Sequence, residues 1–187
     1  MDESTEPALR PLPERAAALL AEAAAPPRLV AHLRLVHDVA AQLVAWVQRR
    51  CPELEFEPAA VLFGAATHDI GKAVHRAELS GPESAHEPAG RDLLLAAGVP
   101  PELARFAAGH ASWDAPGTRV EDLLVSLADK VWKNKRVPEL EDLVVAVLVQ
   151  AGGRERWEEF LALDEVLTAI GDGAEGRLAY QAARPVV

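Results

Sequence analysis

From Glu14 onward, apolar residues return every three or four positions, and no run of strict alternation interrupts them. That period lets an α-helix bury one face, whereas a half-buried strand needs a period of two. The pattern therefore predicts an all-α fold. Proline and glycine divide it into helices over about 14–25, 27–50, 57–70, 84–97, 101–112, 120–135, 138–151, 154–171 and 174–182. Pro58, Pro101 and Pro138 stand where a first-turn proline is tolerated, and Gly71, Gly98 and Gly152 where helices commonly stop. Short connections suit a helical bundle, with one longer link from Ala73 to Glu83. No linker divides the chain, so residues 14–187 are expected to form one domain. Pro7, Pro11 and Pro13 mark residues 1–13 as a loose arm ahead of it.

With 50% hydrophobic residues in 187, a sizeable core is available. Nineteen Lys and Arg against 29 Asp and Glu leave a net charge of −10, which repels a polyanion and argues against non-specific nucleic-acid binding. Cys51 is the single cysteine and forms no internal disulfide. Asp2 and Glu3 stand where a secretion signal carries positive charge, and no stretch approaches the roughly 20 apolar residues that span a bilayer. A cytoplasmic protein without a membrane partner is expected.

Several polar residues fall on apolar faces. Val30, Leu33, His37, Ala40, Val44 and Val47 form one stripe, placing the His37 imidazole in a core-facing row. Taken alone, that ring reads as a core histidine bonded to a backbone carbonyl. Asp38, between Arg34 and Gln42 one turn either side, reads as solvated surface. In AATHDIGKA, Asp69 shares an inward row with Leu62, Ala65 and Ala66, beside His68. A buried carboxylate at a helix C-terminus loses water and faces the negative end of the dipole. A bound cation offsets both costs; a purely structural pair needs another donor, such as Lys72.

Ser84 and Glu87 have capping-box spacing, which puts His86 in a first helical turn, although Pro88 also suits the first position and would move His86 to the cap. His110 follows Gly109 at the end of another predicted helix and reads equally as a cap or a ligand. Asp129 borders an apolar stripe, where its ordinary partner is Lys133, one turn on. The chain has only four lysines, Lys72, Lys130, Lys133 and Lys135, all beside Asp69 or Asp129, a placement that suits compact ammonium groups near phosphate.

The order His37, His68-Asp69, His86, His110, Asp129, spread over residues 28–135 with the string HDIGK, resembles the HD superfamily of metal-dependent phosphohydrolases. The resemblance implies a helical HD-type bundle. It implies His37, His68, Asp69 and Asp129 as shared metal ligands, with His86 and His110 added in the branches that hold two ions. In layout the chain is similar to the bacterial diadenosine-tetraphosphate hydrolases. It lacks the GYP string and paired histidines of the cyclic-dinucleotide phosphodiesterases, since Ala111 follows His110.

Such a ligand set, without thiolate, suits Fe, Mn, Co, Ni, Zn or Mg. The implied chemistry is attack on phosphorus by metal-activated hydroxide, with Asp69 bridging two divalent ions and Lys72, Lys130 and Lys133 binding a small-molecule phosphate substrate, such as a nucleotide. The same motif also occurs in di-iron oxygenases of the superfamily, and a metal-stabilised regulatory module is a third reading. Beyond Leu140 the helices, with Val144, Leu148, Trp157, Phe160 and Leu161, read as amphipathic packing that could serve a core, a pocket or a homodimer face.

Overall fold

The computed structural model describes residues 7–79, 84–109 and 112–186. They form ten α-helices: α1 (Glu14–Glu22), α2 (Pro27–Arg50), α3 (Pro58–Thr67), α4 (His86–Ala96), α5 (Pro101–Ala104), α6 (Phe106–Gly109), α7 (Val120–Val131), α8 (Pro138–Gly152), α9 (Arg156–Asp172) and α10 (Ala174–Ala182). Two 3-10 turns, Ile70–Ala73 and Arg76–Leu79, lie in the longer link between α3 and α4. No strand occurs among the described residues, and the fold is all-α. None of the helices is long and apolar enough to cross a membrane.

Pro27, Pro58, Pro101 and Pro138 occupy first-turn positions of their helices, where the missing N–H costs nothing. The segment expected as one helix over 101–112 is broken into α5 and α6. The helix expected to run to residue 70 ends at Thr67, and Asp69 leaves helical geometry at φ −105° and ψ 13° before the first 3-10 turn.

The long helix α2 runs through the molecule with α3 and α7 packed against it. Leu35, Val39, Leu43, Leu124, Leu127, Leu148 and Leu167 belong to the main core, while Leu20, Leu29, Leu33, Phe63, Ile70 and Leu94 form a second cluster. The Phe106 ring packs against Gly64, where a Cβ would lie 2.7 Å from it, so α3 and α6 approach more closely than any larger residue allows. Burying a ring of this size contributes about 1.5–3 kcal/mol. Beyond α7, Val144, Leu148 and Leu167 enter the core, but Leu143, Trp157, Phe160 and Leu161 remain exposed.

Asp38 is not solvated surface. It is 8% exposed, accepts from Gln42 Nε2 at 2.9 Å and pairs with Arg10 Nη1 at 2.8 Å. Residues 7–13 carry no helix, yet Leu9 packs on the main core and Leu12 on the second cluster. The polar row of α2 is thus covered by the chain segment that precedes α1.

Candidate metal centre

Three chain segments bring a buried histidine–aspartate cluster together. α2 contributes His32, the end of α3 contributes His68 and Asp69, and α7 contributes Asp129; all four are less than 9% exposed. One ligand atom each from His32, His68 and Asp129 lies within 4.8 Å of the others. His32 Nε2 is 3.2 Å from Asp69 Oδ2 and 3.7 Å from Asp129 Oδ1. His68 Nε2 is 3.4 Å from Asp129 Oδ1.

The donor chemistry fits a divalent cation. His68 Nδ1 lies 3.0 Å from the Ala65 carbonyl, and donation there fixes the tautomer that leaves the Nε2 lone pair facing the carboxylates. His32 is buried with neither ring nitrogen in hydrogen-bonding geometry, although Nε2 lies close to two carboxylate oxygens. An orphaned imidazole in a core is costly unless an ion takes its lone pair. Trp132 and His68 hold the His32 ring in edge contacts, with centroids 5.0 and 5.4 Å away.

The electrostatics agree. Burial would raise the Asp69 carboxyl, but His68, His32 and His86 hold it well below the ordinary carboxylate range. Asp129 is depressed as well, since His68 and Lys130 outweigh its desolvation. Burial lowers the His32 pKa, whereas the carboxylates Asp69 and Asp129 raise that of His68 in spite of its burial. Two lysines reach the rim: Lys72 Nζ is 2.6 Å from Asp69 Oδ2, and Lys130 Nζ is 2.7 Å from Asp129 Oδ2. Lys133, by contrast, is exposed with its ammonium 5.7 Å from the Trp132 ring centroid, so the partner expected for Asp129 is replaced by its neighbour Lys130.

His86 enters from the first turn of α4, with Nε2 3.1 Å from Asp69 Oδ1. The Asp69 oxygens therefore face different histidines, Oδ2 toward His32 and Oδ1 toward His86. The expected Ser84–Glu87 capping box does not form: the N-cap is Ala85 without a side-chain bond, and the His86 N–H donates to Glu78 Oε2 instead. Gly71 makes the approach possible, since a Cβ there would overlap the His86 carbonyl oxygen and lie 2.6 Å from the Gly90 nitrogen. His110 lies outside the described residues.

His37 is not part of this cluster. It is buried at 3% exposure, and the charges that act on it are Asp38 and Arg10, not Asp69 or Asp129. The reason is helical geometry: five residues separate His32 from His37, which turns them about 140° apart around α2. His32 lies on a row with Leu29, Val36, Val39 and Leu43, all buried, a pattern equal in strength to the stripe through His37. That row was the available signal for His32, and periodicity alone could not choose between the two.

An all-helical protein with a buried His/Asp site of this kind belongs to a recognisable class. The HD domain family model matches residues 29–133, more than half of the chain, and the protein belongs to that family. The match begins just before His32 and ends just after Asp129. No curated protein and no solved structure matches the chain.

Proposed function

We propose that this protein is a metal-dependent phosphohydrolase acting on a nucleotide or another small phosphate ester or anhydride. The observation that carries the reading is a buried His32–His68–Asp69–Asp129 donor set with two partly exposed lysines, Lys72 and Lys130, at its rim. His32, His68, Asp69 and Asp129 would hold one divalent ion. Asp69 through Oδ1, together with His86 and the histidine expected from the motif at position 110, would hold a second. Bound ions would supply Lewis acidity to a phosphoryl oxygen and lower the pKa of water.

The chain's own groups supply the rest. Lys72 and Lys130 each lie beside a ligand carboxylate, where an ammonium can turn to a substrate phosphate and neutralise its charge. Burial of the donors lowers the local dielectric and strengthens that attraction. The proposed ligand set, which takes His32 where the motif reading took His37, resembles the layout of the bacterial diadenosine-tetraphosphate hydrolases, and that resemblance is the reason to propose a nucleotide substrate.

The test is metal analysis of the purified protein, followed by a screen of mononucleotides and dinucleoside polyphosphates for phosphate or nucleotide release with Mn, Fe, Co, Ni, Zn and Mg. Hydrolysis that depends on added metal and is lost in Asp69→Ala supports the proposal. Oxygen consumption by an iron-loaded protein, with no hydrolysis under any metal, would replace it with oxygenase chemistry.

A further inference from the structure

Glu78 lies in the link expected to be loop, yet its carboxylate is 4% exposed. One oxygen, Oε2, accepts from the His86 backbone N–H at 3.0 Å and contacts His86 Nδ1 at 2.5 Å. We infer that Glu78 is the positioning residue for His86, holding the imidazole with Nδ1 protonated and Nε2 directed at Asp69 Oδ1. The inference rests on the reading of His86 as a metal ligand.

Three observations support a role beyond helix capping. A cap requires only the N–H contact; the second contact, to Nδ1, fixes ring rotation and tautomer, which capping does not need. The turn that carries Glu78 is itself anchored, by Arg76 Nη2 donating to the Ala24 carbonyl at 3.2 Å, by the Glu78 N–H on the His75 carbonyl at 3.0 Å, and by Leu79 in the second apolar cluster. Finally, the close passage of Gly71 under the first turn of α4 sets the height of the His86 backbone, which leaves the ring torsions for Glu78 to decide. A carboxylate on a fixed element that aims a ligand imidazole is a common outer-shell device in metal sites.

The experiment titrates the metal-free wild type, Glu78→Gln and Glu78→Leu with Co2+ alone, followed by calorimetry and by visible absorption of the bound ion. Glu78→Gln retains an acceptor oxygen of nearly the same reach, whereas Glu78→Leu removes it at similar volume. Wild type should take up two ions. Glu78→Leu should weaken the second ion by about 10–100-fold while the first changes less than about twofold, and Glu78→Gln should recover most of the loss. Should Glu78→Leu fail to fold, Glu78→Asp, whose carboxylate is drawn back by one methylene, should show the same selective weakening of the second ion.

Equal binding of both ions by wild type and Glu78→Leu would overturn the assignment. So would equal weakening of both ions, with a lowered melting temperature of the metal-free protein, because that is the signature of a structural role. Failure of wild type itself to bind any Co2+ would overturn the metal reading and this assignment with it; that failure appears in wild type rather than in the variants.

Discussion

Replacing His32 and His37 one at a time, each by leucine, tests the placement of the site most directly. Both rings are buried on α2, and neither His32 ring nitrogen nor His37 Nδ1 has a hydrogen-bond partner. A leucine of similar volume should therefore change the stability of the metal-free protein by only about 1–1.5 kcal/mol at His37, and by more at His32, whose ring also helps hold the buried Asp69 ionised. The two should part on adding metal. An ion present at 100 times its Kd stabilises the folded state by about 2.7 kcal/mol, which for a chain of this size raises Tm by about 5–11 °C.

Loss of an outer-shell partner alone costs 10–100-fold in metal affinity, so loss of a direct donor should cost at least the upper end, about 2.7 kcal/mol. At the same metal concentration His32→Leu would then sit near its own Kd and gain only about 0.4 kcal/mol, a Tm rise of about 1–2 °C. His37→Leu should keep the wild-type rise in full. The assay is thermal unfolding with and without the ion, read beside metal content per chain. A full rise in His32→Leu with none in His37→Leu would refute the facing of α2 and the site built on it.

Asp38→Ala should cost about 1 kcal/mol, because its Arg10 partner is 53% exposed and Gln42 is one turn away, and it should leave metal content unchanged. Asp69→Ala should lose both metal and turnover; the reverse pattern in paired metal and hydrolysis assays would contradict the assignment. Lys72→Ala should lower turnover of a phosphate substrate tenfold or more with metal content near wild type, whereas loss of the ion would show that the lysine serves the ligand and not the substrate.

The pH dependence has a definite sign at His37. Burial, with a smaller contribution from Arg10, holds its folded pKa below the ordinary ~6.5 against the pull of Asp38. The unfolded chain then binds the proton more readily. The stability associated with the neutral ring is full above about pH 6.5 and is lost as pH falls toward the lowered folded value. Denaturant titrations of the metal-free protein should show His37→Leu losing less stability than wild type between about pH 6.5 and 5. Parallel losses in the two proteins would dismiss the shift.

Local patterns in the chain were enough to determine the all-α fold, most of its helices and two of the three segments that build the site. The period of three to four is a property of neighbours along one helix, so the helices were legible wherever Pro and Gly punctuated them, but the break between α5 and α6 at Arg105 carries no such mark and reads as continuous. His68-Asp69 and Asp129 were legible for a different reason: α3 and α7 are buried around most of their circumference, so a polar residue near either C-terminal end meets protein, and neither helix offered a second histidine to choose between. α2 carries two such histidines. Thirteen of its 24 residues are buried, so rows through His32 and through His37 both point at protein, and only the packing of α3 and α7 decides which row meets the carboxylates.

Contacts that the helical period does not encode account for the other differences. Asp38 is covered because Arg10, 28 residues earlier, folds back over it. Lys130 takes the place expected for Lys133 at Asp129 because α7 ends at Val131, so the one-turn spacing to Lys133 is not continued as helix. Glu78 meets His86 because two 3-10 turns fold a link without apolar periodicity against the start of α4. A helix announces itself through residues three and four apart, whereas the partner of a buried charge is chosen by whichever chain the tertiary fold brings within 3 Å, and nothing in local spacing encodes that meeting.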